Sequence, residues 1–156
     1  MAAIKGHVGV INAMIARGEN VNALTNRNFA ALHLAVKHGN PEVVEALLGQ
    51  GATVDLQTGD GETALAMACR MGEVRGEKCV RMLLKSGANP NFAMADGLRC
   101  PLHVAASSSG AGGRIFRLLL QNGADVGKQD LNGETALQVA IKHCNFKAVK
   151  VHKRGN

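Results

Sequence analysis

The chain has 156 residues, a formal net charge of +6 and a mean hydropathy of 0.00. This length is sufficient for one folded domain, and we expect a single one. It contains no run of about 18 apolar residues, as a membrane-spanning helix would require, so we expect a soluble protein in the cytoplasm, with the nucleus as the alternative compartment. Its four cysteines lie 10, 21 and 44 positions apart, so they do not form the close pairs that are typical of metal sites. We therefore predict that the thiols are reduced and that the protein binds neither a metal nor a cofactor.

The first 17 residues predict a helix pair that is in register with the later copies. Val8, Ile11, Met14 and Ile15 recur at three- and four-residue spacing, as the apolar face of the second helix of this pair requires. Gly18, which is placed to end this helix, lies 33 positions before Gly51. The segment therefore matches a repeat whose leading loop is missing.

The clearest copy of that repeat spans residues 30–55. Its core tetrapeptide, Leu-His-Leu-Ala, starts at residue 32, and similar tetrapeptides start at residues 65, 102 and 137, at intervals of 33, 37 and 35 residues. Pro41 suits the first turn of a second helix, because the N–H that proline lacks has no helical partner there. A near-constant period in this range predicts stacked helix pairs, since one pair cannot bury its apolar face alone.

Two of the later copies carry extra residues. Three additional positions fall between Glu73 and Lys78, and the fourth copy replaces a short turn by the stretch from Ser107 to Gly113. Added length costs little at a connection between helices, so we expect both insertions to protrude from one edge of the stack. The glycine-rich stretch lacks the spacing of a phosphate-binding loop and is interpreted as a flexible connection.

The repeated residues resemble the ankyrin repeat along essentially the whole chain. The family's Thr-Pro-Leu-His motif, followed by an apolar residue and alanine, is matched in part by residues 31–35, 63–65, 101–105 and 135–137. Its Gly-Ala-Asp-Val-Asn signature is matched at residues 51–55, 87–91 and 123–126.

This resemblance implies a mostly α-helical solenoid of stacked antiparallel helix pairs, joined by β-hairpin-like connecting loops. About five units are expected, the first of them incomplete: residues 1–21, 22–54, 55–90, 91–126 and 127–156. The resemblance also implies a binding module with no reaction of its own, because members of the family typically bind other proteins. The function must then be argued from the surface of the array.

Two histidines occupy the same motif position, His33 and His103. In the family this histidine is structural and bonds to the backbone of neighbouring loops, so we assign that role in preference to catalysis or metal binding. Thr63 and Thr135 stand at comparable positions. We therefore predict no catalytic, cofactor-binding or metal-binding residue and no enzyme.

The family's variable groove positions are the two residues before the glycine that separates the helices of a unit. Their register assigns a row of cations and neighbours to the concave face: Lys5, Lys37, His38, Arg70, Met71, Lys142 and His143. The alternative is that these are ordinary solvated side chains. If the row is functional, its charge indicates a partner protein with an acidic or phosphorylated segment.

The tips of the connecting loops are the other binding edge that the resemblance implies. Their chemistry is mixed, which favours recognition by shape rather than by charge. The tip residues assigned to partner binding are Leu24, Asn26, Arg27, Asp60, Asp96, Leu131 and Asn132.

The leading hypothesis is a non-enzymatic scaffold that binds another protein through the groove and the loop tips. A competing one arises from the C-terminal end, because residues 135–156 contain five cations and no acid, whereas the rest of the chain carries only +1. The segment from Lys147 to Arg154 would then tether the array to nucleic acid or to an anionic membrane surface. A third alternative is a regulatory domain of a larger enzyme.

Overall fold

The structure of the chain, a computed structural model, describes residues 8–95, 97–108 and 113–154, with residues 152–154 described by their backbone alone. In chain order its helices are α1 (Val8–Ala16), α2 (Ala31–Lys37), α3 (Pro41–Gly49), α4 (Ala64–Arg70), α5 (Gly72–Lys85), α6 (Pro101–Ser107), α7 (Gly113–Gln121), α8 (Ala136–Lys142) and α9 (Phe146–Arg154).

The helices form two parallel rows. In the first row α2 contacts α4, α4 contacts α6, and α6 contacts α8, while in the second row α1, α3, α5, α7 and α9 contact one another in the same order. Each first-row helix also contacts the second-row helix that follows it in the chain. This arrangement confirms the expected helical solenoid.

Side chains at the start of the first-row helices satisfy backbone groups that the helices leave without partners. The hydroxyl of Thr63 accepts a hydrogen bond from the Ala66 N–H at 3.3 Å, and Thr135 does the same for Gln138 at 3.5 Å. Thr63 is fully buried, so its cap is shielded from competing water. These threonines therefore act as helix N-caps.

His33, in the first turn of α2, bonds back to the start of its helix and also joins two loops. Its Nδ1 accepts from the Ala30 N–H at 3.0 Å, which leaves the proton on Nε2, and Nε2 donates to the Leu56 carbonyl at 2.8 Å. Burial lowers the pKa of His33, while the bond to Leu56 opposes that shift. This buried, neutral imidazole has the structural role predicted from its motif position.

The connecting loops turn back on themselves as short hairpins. Isolated antiparallel bridges pair Gln57 with Thr63 and Gln129 with Thr135. Successive loops are then linked through the side chains of Asn22, Asp55 and Asn91, each of which accepts a hydrogen bond from a backbone N–H 31 to 34 positions later, at 2.8 to 3.1 Å. These bonds fix the spacing between units on the loop side of the stack.

The insertion expected at Glu73 to Lys78 is not a protruding connection, and that prediction was wrong. These residues belong to α5, which is 14 residues long, whereas the second-row helices α3 and α7 have nine. The extra turn is held in place because the Glu73 carboxylate accepts a hydrogen bond from the Arg114 N–H at 2.6 Å. Of the other predicted insertion, residues 109–112 lie outside the described residues.

Leu65→Ala is expected to lower the free energy of unfolding by ~2–5 kcal/mol, because Leu65 is fully buried between neighbouring first-row helices. Chemical denaturation followed by circular dichroism measures this loss. The matched control is Leu24→Ala, since Leu24 is 49% exposed at a loop tip and its truncation should change stability by less than about 0.5 kcal/mol. Equal curves for the two variants would contradict the register assigned to Leu65.

Candidate partner-binding groove

The groove cations are paired with residues eight positions earlier, at the end of the preceding loop. Arg70 Nη2 lies 2.6 Å from a carboxylate oxygen of Glu62, and Lys142 Nζ lies 3.1 Å from one of Glu134. In both pairs the acid directly precedes the N-cap threonine of a first-row helix and the cation is the last residue of that helix, so the two long side chains meet along one side of it. Two members of the predicted cationic row are therefore partly neutralised.

In the fourth unit the chemistry of this pair is reversed. Here the cation, Arg99, is at the loop end and Ser107 is at the helix end, and Arg99 Nη2 donates to Ser107 Oγ at 2.8 Å. The Ser107 hydroxyl donates in turn to the Val104 carbonyl at 3.1 Å. Arg99 thus adds a groove cation that the register of the helix ends does not reveal.

In the second unit the loop-end position holds an aromatic ring instead of a carboxylate. Lys37 Nζ lies over the ring of Phe29, 5.3 Å from its centroid. The ring also packs against His33 edge to face, with centroids 6.0 Å apart and an interplanar angle of 80°. Lys37 therefore makes a cation–π contact at the position where Arg70 and Lys142 make ion pairs.

The ion pairs leave the groove accessible to a charged ligand. The side chains of Arg70 and Lys142 are 59% and 63% exposed, whereas Glu62 and Glu134 are 16% and 28% exposed. Fully exposed ion pairs contribute only about 0–1 kcal/mol, but a largely buried carboxylate such as that of Glu62 costs more to separate from its cation. The exposed sides of Arg70 and Lys142 are therefore the part of these pairs that a ligand carboxylate or phosphate can contact.

One depression joins the groove to the loop tips. It has a volume of about 600 Å³ and is lined by Thr25, Asn26, Arg27, Phe29, Leu34, Lys37 and Asp60. The structure thus brings four of the predicted site residues together, one from the helix row and three from two successive loops. Phe29 and Leu34, which the sequence interpretation did not assign, form its apolar floor.

A second depression of about 390 Å³ lies towards the other end of the groove. It unites three of the predicted residues with partners that were not predicted, and its lining is Arg99, Ser107, Asp130, Asn132, Glu134, Val139, Lys142 and His143. Burial raises the pKa of Asp130, but hydrogen bonds from the Glu134 and Asn132 N–H groups, with the charges of His103 and Arg99, lower it by more. Because its carboxylates offset its cations, this depression is close to neutral.

The remaining predicted groove residues differ in exposure. His38 is exposed, Met71 is half-buried, and His143 is exposed with its Nδ1 donating to the Val139 carbonyl at 3.0 Å. Lys5 lies outside the described residues. Among the described residues, the ring of His38 makes no hydrogen bond, in contrast to that of His143.

At the loop tips, residues with exposed side chains also link neighbouring loops through their backbone. Leu24 and Leu131 are 49% and 69% exposed. The Leu131 N–H donates to the Gly97 carbonyl at 2.9 Å, and the Arg27 carbonyl accepts from Gly59 at 3.1 Å, so both backbones link neighbouring loops while their side chains point outward. Asp96 lies outside the described residues.

Cys100 and His103 form a buried pair of side chains that could in principle be reactive. Cys100 Sγ lies 3.0 Å from His103 Nδ1. Burial raises the pKa of this thiol, but its contacts with His103 lower it by more. Both side chains are fully buried, and His103 Nε2 bonds to the Glu134 carbonyl at 3.0 Å, so the pair stabilises a helix start and a loop rather than offering a nucleophile to solvent.

Among the described residues, no group of three or more histidine, cysteine, aspartate or glutamate side chains is arranged to hold a metal ion. The same part of the chain contains no helix with the length and apolar character that crossing a bilayer requires. At the basic end, Lys147 and Lys150 are exposed on α9.

Comparison with known proteins gives matches along most of the chain. A family model described as ankyrin repeats matches in three copies, at residues 1–94, 32–130 and 79–151. The chain is 39% identical over 116 residues to ankyrin repeat and SOCS box protein 11 of Danio rerio, a match that covers 72% of this chain and 37% of that protein.

Two further relatives show how varied the similar proteins are. Ankyrin repeat and SOCS box protein 16 of Mus musculus is 38% identical over 116 residues, covering 71% of this chain and 25% of the relative. An L-asparaginase of Dirofilaria immitis is 28% identical over 148 residues, covering 95% of this chain and 24% of the relative. The chain therefore spans about a quarter to somewhat more than a third of the length of these three proteins.

Proposed function

Since the chain belongs to the ankyrin repeat family, whose repeats mediate binding to other proteins, we propose that it binds an extended anionic segment of a partner protein along its groove. The observation that carries this proposal is the depression around Phe29 and Lys37, which joins the groove to two loop tips. A segment lying there contacts the two surfaces that the sequence assigns to partner binding. Catalysis has no part in this function.

The charge of the groove supports an acidic or phosphorylated segment. Four cations, Lys37, Arg70, Arg99 and Lys142, stand against three carboxylates, Glu62, Asp130 and Glu134, which leaves an excess of +1 along the face. A positive charge on a concave surface attracts a ligand of the opposite sign and increases its association rate. A carboxylate or phosphate of the segment contacts the exposed side of these cations.

A tether through the basic end and a regulatory part of a larger enzyme are the competing functions. Lys147 and Lys150 lie on the outside of one helix, whereas three of the groove cations, Lys37, Arg99 and Lys142, line depressions that also contain apolar surface. The groove therefore offers selectivity as well as charge, and for this reason we favour it. A regulatory role in a larger enzyme does not compete with groove binding, because the repeats could bind a partner through the groove while they are attached to an enzyme.

Glu62→Gln combined with Glu134→Gln is expected to strengthen binding of an acidic segment about threefold to tenfold, because it releases Arg70 and Lys142 from their carboxylates. The probe is a fluorescent 12-residue peptide selected on the immobilised chain from a random display library. Its dissociation constant is measured by fluorescence anisotropy at physiological salt.

The matched control is Glu45→Gln combined with Glu77→Gln, which changes the net charge equally. Glu45 is exposed on α3, and Glu77 on α5 pairs with Arg81 at 2.9 Å, so both belong to the second row of helices. This control should leave the peptide's affinity within about twofold of the original. Equal strengthening in both double variants would show that the overall charge, and not the groove, attracts the peptide. If the selection enriches no peptide at all, the proposed function is refuted.

A further inference from the structure

We propose that the depression around Phe29 is an anchor pocket that takes an aromatic or large aliphatic side chain of the partner, next to a carboxylate of the same segment. The anchor pocket is defined by Arg27, Phe29, Leu34, Lys37 and Asp60. This inference rests on the proposed function and deepens it, because it states which chemistry the bound segment carries at one position.

The apolar floor of the anchor pocket is held in a fixed orientation. Phe29 is only partly buried, and its ring packs against that of His33 at an interplanar angle of 80°. His33 cannot turn freely, since Ala30 and Leu56 hold its two ring nitrogens at 3.0 and 2.8 Å. A ring that is oriented before binding loses little entropy when a ligand packs against it.

The cations of the anchor pocket favour a carboxylate beside the apolar side chain. Lys37 and Arg27 face it with one acid, Asp60, so its charge is +1. The ion pairs of the described residues include neither cation. Lys37 lies over the Phe29 ring, and a ligand carboxylate that draws its ammonium group aside exposes the ring face to the ligand's own apolar group.

The equivalent positions of the other units lack this combination. Glu62 and Glu134 replace the ring by a carboxylate that already pairs with the local cation, and Arg99 replaces it by a guanidinium bonded to Ser107. An apolar side chain next to a carboxylate therefore fits the second unit better than any of these three. Such a site fixes the register of the segment, which a row of charges alone does not.

A protein segment fits the anchor pocket better than a nucleic acid does. A nucleotide also presents a ring and an anion, but single-stranded binders generally align several aromatic rings for successive bases. At the equivalent groove positions of the other described units there is no second ring, and Asp60 at the rim repels a continuous phosphate backbone.

The test compares the peptides that the wild-type chain and a Phe29→Glu variant select from the same random 12-residue library. Phe29→Glu installs the carboxylate that Glu62 and Glu134 provide in two other units, so the variant keeps a local pattern that this fold accepts. The wild type is expected to enrich an aromatic or large aliphatic residue within two positions of aspartate or glutamate. Phe29→Glu is expected to lose that motif and to bind the resynthesised peptide about tenfold more weakly or worse.

Arg70→Gln is the control, because it removes a groove cation outside the anchor pocket, and it should keep the apolar preference of the enriched peptides. The inference is overturned if Phe29→Glu enriches the same motif as the wild type, while the proposed function then survives. Lack of enrichment on the wild type removes both. A 12-nucleotide oligodeoxynucleotide is tested in the same way. If it competes with the selected peptide and no longer binds to Phe29→Glu, the inference is overturned in favour of a nucleic-acid ligand.

Discussion

Gly76→Ala is expected to destabilise the protein by about 2 kcal/mol or more and to lower its melting temperature by roughly 4–12 °C. Gly76 lies inside α5, where a Cβ atom would come within 3.0 Å of the Ala68 carbonyl oxygen, far closer than van der Waals contact allows. That oxygen belongs to the backbone of α4 and cannot move aside as a flexible side chain would. The methyl group therefore has to push α5 away from α4. Differential scanning calorimetry measures the change.

Gly49→Ala is the matched control for this substitution. Gly49 is the last residue of α3, and a Cβ atom built there meets no heavy atom within 4 Å. Alanine favours the helical conformation over glycine by up to about 1 kcal/mol, so this variant should melt at the same temperature as the wild type or above it. If Gly76→Ala melts no lower than Gly49→Ala, the close approach of α4 and α5 is not as described.

The periodicity of the sequence was sufficient to predict the helices and their stacking. Leucines 32, 65 and 102 recur with the repeat, and each is almost completely buried in the first row. This succeeds because a helix pair has one apolar face, and the position of that face follows from spacing alone. The structural role of the histidines, by contrast, was implied by the family resemblance, and His33 Nε2 indeed bonds to the Leu56 carbonyl of the next loop.

The same reasoning misplaced the residues from Glu73 to Lys78. The repeat length showed that three residues were additional, but it did not show that they would extend the second helix of the unit. Gly76 lies within α5, and because it has no Cβ the helix can approach the Ala68 carbonyl of α4 closely. A single sequence does not show such a contact between two helices.

The groove residues illustrate a further limit. Register located Lys37, Arg70 and Lys142, because helix ends recur with the period. It missed their partners, such as Phe29 and Glu62, because these belong to the loop and meet the helix end only after the chain has turned. The signal was present in the sequence as an eight-residue spacing, and comparing the residues at that spacing would have distinguished the second unit from the others.

Removing the groove cations is the second change from which we expect a large effect. Lys37→Gln, Arg70→Gln and Lys142→Gln together should weaken binding of the selected peptide ~10- to 100-fold, since each cation meets an anionic group of the segment. Glutamine keeps the length and polarity of the side chains and adds no negative charge at a helix C-terminus. All three residues are exposed, so the helical content and melting temperature should remain close to those of the wild type.

The matched control removes three cations elsewhere, through Lys85→Gln, Lys147→Gln and Lys150→Gln. These lysines are exposed on second-row helices, two of them at the basic end. The decisive measurement is the dissociation constant of the selected peptide for both triple variants, at physiological salt and with circular dichroism to verify folding. Groove binding predicts a large loss in the first variant and a change of no more than about twofold in the second. An equal loss in both, or a loss confined to the second, would contradict it.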